Sequence, residues 1–271
     1  MELKAMDEKE RALEQKQYFF GASEDAGYLL YLEDDEYRTY DIDSGALACI
    51  TCGLPTSFVD LDDDHTVEQK PPFYYAGWLE DDAAVLLYDE HDVWRVAPDG
   101  SGGERVTSGA DANLRHRRVT IDREEEAIDP DAPQYYSIYD DWAETWGIAR
   151  ADRLGEEPEQ LTLQEARVYA LQKAENADVY AWMIQDFEDS PDAFVGDARM
   201  EGRQITRTNP FQDDYLWGRS ELISYVNEYG DTLQGALYYP AGYEPGRQYP
   251  MITYIYEIRS NAVRSYDVPS E

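Results

Sequence analysis

Apolar residues recur along this chain in short bursts, separated by acidic and glycine-containing turns. Gly27-Tyr28-Leu29-Leu30-Tyr31 is a continuous apolar run. The alternating stretch Tyr37-Arg38-Thr39-Tyr40-Asp41-Ile42 follows, and then Asp43-Ser44-Gly45. The same order returns in Ala84-Val85-Leu86-Leu87-Tyr88, Asp92-Val93-Trp94-Arg95-Val96 and Pro98-Asp99-Gly100. A short apolar run predicts a strand buried on both faces, and alternation predicts a strand with one face in and one out. The Asp-Ser-Gly and Asp-Gly steps predict hairpin turns, because glycine adopts positive φ without steric cost. A third passage starts at Tyr135-Tyr136-Ser137-Ile138-Tyr139. A fourth starts at Val168-Tyr169-Ala170-Leu171, with Val179–Ile184 as its clearest strand. Each passage closes on an apolar residue followed by threonine: Ile50-Thr51, Val106-Thr107, Leu161-Thr162 and Ile205-Thr206. These threonines lie 56, 55 and 44 residues apart. Four-stranded units recurring every roughly 40–50 residues predict β-propeller blades, with the extra length in loops. Four blades are few for a closed ring, so further blades upstream or a different packing of the sheets is expected. A β-sandwich with accidental periodicity is the competing architecture.

Beyond Pro210 the pattern changes. Glu221–Val226 and Leu233–Tyr239 flank a turn around Gly230 and predict a hairpin. Pro240-Ala241-Gly242-Tyr243-Glu244-Pro245-Gly246 is a loop rich in breakers. Tyr249-Pro250-Met251-Ile252-Thr253-Tyr254-Ile255-Tyr256 is apolar on both faces, as a central strand of an α/β sheet would be. Only fifteen residues follow it, so the chain is expected to stop inside a domain. The division expected is a charged helical segment over 1–16, propeller blades over 17–215, and the start of a second domain over 216–271.

Composition sharpens this picture. The 23 Tyr against 7 Phe favour half-buried strands with hydroxyls at the edge. The net charge of −35, from 58 acidic and 23 basic residues, disfavours nucleic acid and anionic membrane surfaces as partners. A chain this acidic repels itself in dilute buffer, and salt screens that repulsion, so a salt-adapted source is expected. No window approaches the roughly 20 apolar residues of a membrane span, and residues 1–17 carry no apolar stretch of a signal peptide. Localisation is therefore left open: cytoplasmic as written, exported if a leader precedes this N-terminus. The two cysteines form Cys49-Ile50-Thr51-Cys52 at the end of a strand rather than at the start of a helix. That placement favours structural cysteines over a redox motif, and a zinc site would need two further ligands.

Leu237-Tyr238-Tyr239-Pro240-Ala241-Gly242-Tyr243-Glu244-Pro245-Gly246-Arg247-Gln248-Tyr249-Pro250-Met251-Ile252 resembles the opening of the α/β-hydrolase domain of prolyl oligopeptidase-family serine peptidases. That family includes dipeptidyl peptidases and acylaminoacyl peptidases. Ala76-Gly77-Trp78, Tyr88–Trp94 and Thr208-Asn209-Pro210 resemble propeller segments of its bacterial members. The likeness covers residues 17–271 in scattered patches and is most specific over 237–256. The fold class it implies is mainly β: a partial propeller of about four blades, followed by the first strands of an α/β-hydrolase domain. The mechanism it implies is attack by a serine on the peptide carbonyl, with a histidine as base and an aspartate orienting it. No Gly-x-Ser-x-Gly elbow occurs in the chain. His65, His91 and His116 fall in propeller segments, so the triad is expected to be absent from these residues and the chain inactive by itself. Tyr256 matches the tyrosine that donates its hydroxyl to the oxyanion in the family. Its other reading is simply the end of a buried strand. Glu257-Ile258-Arg259 follows it where many relatives have a glycine-rich turn, which leaves the local geometry open. Glu90 and Asp92, near Trp94, could form a cation site or a solvated acidic loop. The resemblance implies a peptide substrate for the parent protein, no metal and no organic cofactor; oligomeric state is left open. A non-catalytic propeller that binds a protein or peptide, or one acting on polysaccharide, are the competing functions.

Overall fold

The computed structural model describes residues 16–67, 69–256 and 258–267. The helical segment expected over 1–16 therefore lies outside the described residues, Lys16 excepted. Four consecutive antiparallel sheets dominate, each of four strands in chain order. The first holds β1 (Phe19–Ala22), β2 (Tyr28–Glu33), β3 (Glu36–Asp41) and β4 (Leu47–Cys49). The second holds β5 (Tyr75–Trp78), β6 (Val85–Tyr88), β7 (Val93–Val96) and β8 (Gly103–Arg105). The third holds β9 (Arg115–Arg118), β10 (Gln134–Asp140), β11 (Thr145–Ala151) and β12 (Glu159–Gln164). The fourth holds β13 (Arg167–Lys173), β14 (Tyr180–Gln185), β15 (Asp192–Gly196) and β16 (Gly202–Gln204). A two-stranded hairpin of β17 (Arg219–Val226) and β18 (Thr232–Tyr239) follows. Each four-stranded meander is the unit expected of a propeller blade.

The chain forms two compact units. One holds the residues up to Arg118 with Arg123–Tyr136 and Ala151–Pro158. The other holds Val119–Asp122, Ser137–Arg150 and the residues from Glu159 onward. In the first unit the apolar runs do what their pattern predicts. All four residues of β6 are buried. Val85 and Leu87 join a cluster with Leu30, Leu32, Tyr37, Phe58, Trp78 and Trp94, so sheets one and two pack face to face. Leu86 and Tyr88 point the other way, into a cluster with Val93, Ile128, Tyr136 and Ala151. A fully buried Val or Leu contributes roughly 1.5–3 kcal/mol, so β6 anchors both clusters at once. In the second unit Val168, Leu171, Tyr180 and Trp182 are buried, and Trp182 stacks on Phe194 with ring centroids 6.1 Å apart.

Three expectations change. The apolar-Thr pairs do not end the fourth strands; Ile50-Thr51, Val106-Thr107 and Ile205-Thr206 lie just past β4, β8 and β16. Leu161-Thr162 instead sits inside β12, out of step with the others. The run Tyr249–Tyr256 forms no strand, and Met251–Tyr256 is exposed, Ile252 to 96%. A doubly apolar strand needs ladder partners and covering layers on both faces, and the described residues beyond β18 supply neither.

Candidate functional site

The repeated threonines are explained by one hydrogen-bond motif. In the second sheet the Thr107 hydroxyl donates to Asp92 Oδ1 at 2.7 Å, and its oxygen accepts the Val93 N–H at 3.1 Å. In the fourth, Thr206 donates to Asp192 Oδ1 at 2.7 Å and accepts the Ala193 N–H at 2.8 Å. In the first, Thr51 donates to Glu36 and accepts the Tyr37 N–H at 2.9 Å. An acid at the start of the third strand thus clamps a threonine 14 or 15 residues later, just past the end of the fourth. Buried carboxylates need this degree of satisfaction. Asp92, fully buried, also accepts the Gly109 N–H and the Ala110 N–H. Asp192 also accepts the Thr208 N–H and Gln204 Nε2.

This disposes of the cation site considered at Glu90 and Asp92. Asp92 is engaged on both oxygens, and Glu90 pairs with Arg115 at 3.2 Å. Nearby Asp89 accepts Trp94 Nε1 at 2.8 Å and the His91 N–H at 2.9 Å, tying down the turn between β6 and β7. Burial pushes the His116 imidazole below its ordinary pKa, against the pull of Asp92. Such a histidine, edge-on to Tyr136 at 6.1 Å, is a packed side chain. His65 is exposed and pairs with Asp63 at 3.1 Å.

The third sheet breaks the motif. Its acid, Glu144, precedes β11 as Asp92 precedes β7, but Thr162 faces Ile148 across a ladder that shifts register at Ala149. Glu144 is fully buried with φ of +51°, in the left-handed region that non-glycine residues rarely occupy. Its Oε2 accepts the Tyr139 hydroxyl at 2.6 Å, and among the described residues its Oε1 has no hydrogen-bond partner. Burial pushes the carboxyl above the ordinary glutamate range, opposed by the Tyr139 and Ser260 hydroxyls. Tyr139 also lines a cavity of about 180 Å³ with Trp146, Arg167, Asn261, Ala262 and Ser265. Trp146 stacks on Tyr139 at 4.0 Å, while Arg167 lies 4.9 Å over the indole and donates to Ser265 Oγ at 2.9 Å. The sequence carried no sign of this cluster, because its parts are far apart in the chain and individually common.

Tyr256, the one catalytic residue suggested by sequence, is 60% exposed and lies outside any strand. Glu257 lies outside the described residues. The cysteines form a disulfide, Cys49–Cys52, with Cα atoms 5.7 Å apart.

No family model and no curated relative matches the chain. Among solved structures it is similar to one from Bacteroides ovatus assigned as a dipeptidyl aminopeptidase IV. The TM-score is 0.55 at 12% identity, covering 86% of this chain and 35% of that one. A prolyl endopeptidase aligns at TM-score 0.48 and 14% identity, over 79% of this chain and 29% of that one. Prolyl oligopeptidase B from Galerina marginata aligns at 0.45 and 11%, over 79% and 29%. The class defined here is a protein of successive four-stranded antiparallel sheets. Within that class the first likeness is one of fold alone: the chain matches a segment spanning about a third of the length of that Bacteroides ovatus structure.

Proposed function

We propose that this chain is propeller sequence of a serine peptidase of the prolyl oligopeptidase type, and that by itself it hydrolyses nothing. The observation that carries the reading is the run of four blade-like sheets, aligned over 86% of the chain with the dipeptidyl aminopeptidase IV-like structure. The Tyr-Pro segment near Tyr256 supports it, because a propeller that only binds a partner has no use for a hydrolase strand. In this reading residues 17–215 are propeller, and 216–271 begin the α/β-hydrolase domain. Met251–Tyr256 becomes a central strand once that domain's remaining strands flank it. The propeller restricts entry, so the parent's substrates are short peptides. The serine, aspartate and histidine are supplied by sequence beyond Glu271, and no metal or organic cofactor is used in the acyl-transfer steps.

The test is to express the chain together with the coding sequence that follows Glu271. Covalent labelling by a fluorophosphonate, with hydrolysis of short peptide anilides, supports the reading. An extended chain with no Gly-x-Ser-x-Gly elbow and no labelling overturns it and leaves a binding propeller. In the active extended enzyme Tyr256 is proposed to donate to the oxyanion. Tyr256→Phe should then lower kcat about 10²-fold, as loss of such a donor does, with KM little changed. Unchanged turnover would remove that role.

A further inference from the structure

We propose that the Cys49–Cys52 pair, once reduced, forms with Glu36 a site for one divalent metal ion of the zinc type. The three side chains come together because β4 ends at Cys49 against β3, with Arg38 opposite Cys49. The Ile50 N–H then donates to the Tyr37 carbonyl and carries the chain past Glu36, at the head of β3. One ligand atom from each of Glu36, Cys49 and Cys52 lies within 4.8 Å of the others. Cys52 is exposed, and Cys49 and Glu36 are half-buried, so an ion can reach them from solvent.

The other clamps show why this acid is available. Asp92 and Asp192 are shorter and each accepts three hydrogen bonds that engage both oxygens. The first sheet carries glutamate instead, one methylene longer, and among the described residues it accepts only the Thr51 hydroxyl, on one oxygen. Thr51 lies between the two cysteines in sequence, so the bond that orients the carboxylate also fixes it beside both sulfurs. Two thiolates three residues apart and a carboxylate make three protein ligands, and water completes a tetrahedron around Zn²⁺. The negative chain raises the local concentration of cations.

In the disulfide neither sulfur is a thiolate, so metal binding is tied to redox state. A dithiol reductant supplies two electrons and two protons, breaks the S–S bond and leaves as its own cyclic disulfide, giving two cysteine thiols. The ion then displaces both thiol protons. At a Zn–S distance of about 2.3 Å, two sulfurs on a tetrahedral ion lie roughly 3.8 Å apart. Rotation of the two cysteine side chains achieves that separation without moving the strands.

The probe is Co²⁺, added anaerobically to the chain after reduction with dithiothreitol and its removal. A thiolate-to-cobalt charge-transfer band that saturates at one ion per chain, and that Zn²⁺ abolishes, is expected. The oxidised chain should give no band. Glu36→Gln, which keeps both thiols, should weaken binding at least tenfold, and Cys52→Ser, at an exposed position, should abolish the band. Absence of the band in reduced protein with two titratable thiols overturns the proposal. Equal affinity in folded Glu36→Gln protein overturns the assignment of the carboxylate. If Glu36→Gln does not fold, the stoichiometry and the Cys52→Ser result decide, and a band that survives in Cys52→Ser overturns the site.

Discussion

Thr107 uses one oxygen twice, donating to Asp92 and accepting the Val93 N–H. Thr107→Val keeps the shape, removes both bonds and leaves a buried carboxylate short of a donor. The expected cost is about 1–3 kcal/mol, read from urea unfolding midpoints. Thr162→Val makes the same chemical change at a threonine outside the motif, and should stay within about 0.5 kcal/mol of wild type. Equal losses at both positions would mean that the clamp is not what stabilises the sheet. Glu144 gives a second residue-level prediction, because burial holds its folded-state pKa above the unfolded value. A raised carboxyl favours folding fully when pH is below the unfolded pKa, near 4.3, and that contribution is lost as pH rises through the folded pKa. At neutral pH a carboxyl at this buried position is therefore a liability. Glu144→Gln should stabilise the protein by about 1 kcal/mol at pH 7, and the gain should shrink toward zero near pH 4. A gain independent of pH would point to the strained backbone rather than the charge.

At the scale of elements, strands with a period were legible and strands without one were not. Tyr28–Tyr31 and Val85–Tyr88 could be read because burial on both faces demands unbroken apolar residues. The second strand of the fourth sheet, read as Val179–Ile184, forms over Tyr180–Gln185. β9, by contrast, is Arg115-His116-Arg117-Arg118. It is a strand because β10 offers it an edge, and because Arg117 donates to the carbonyls of Asp89 and Glu90 and lies 4.8 Å from the Tyr88 ring. No local pattern encodes such tertiary partners. The threonine repeat was visible for a real reason, but its third member was a coincidence of spacing, which only strand register exposes. Glu144 was invisible because an acid matters there through the donor it lacks. The run from Met251 to Tyr256 fails in the opposite sense: its pattern demands a strand, and its surroundings do not provide one. The bonds after exposed Tyr254 and Tyr256 should then be cut by chymotrypsin before any bond within the four sheets. Mass spectrometry of a short digest would locate the nick. In the chain extended beyond Glu271 the same bonds should become resistant, as they would inside a completed sheet. First cleavage within β5–β8 would contradict this order of stability.

The charge belongs to the molecule as a whole. Much of the acid closes turns: Asp60, Asp99, Asp129, Asp140, Asp186 and Asp197 each accept the backbone N–H two residues ahead. Asparagine closes such turns equally well, so the turns explain the positions of these residues and not their sign. Exposed ion pairs such as Arg199–Glu159 and Arg207–Asp213 return little energy. A net charge of −35 therefore remains as self-repulsion that the folded state concentrates and the unfolded chain relieves. Screening removes that penalty: the Debye length falls from about 10 Å at 0.1 M salt to about 3 Å at 1 M. The melting temperature should rise by roughly 5 °C or more between 0.1 M and 1 M KCl, corresponding to about 2 kcal/mol for a chain of this size. Most of the rise should come before 1 M, because the remaining length to be screened is then shorter than the spacing of surface charges. Neutralising a few turn aspartates to asparagine should lower the salt dependence in proportion. A melting temperature equal at both salt concentrations would show that the acidity carries no stability cost, and would sink the expectation of a salt-adapted protein.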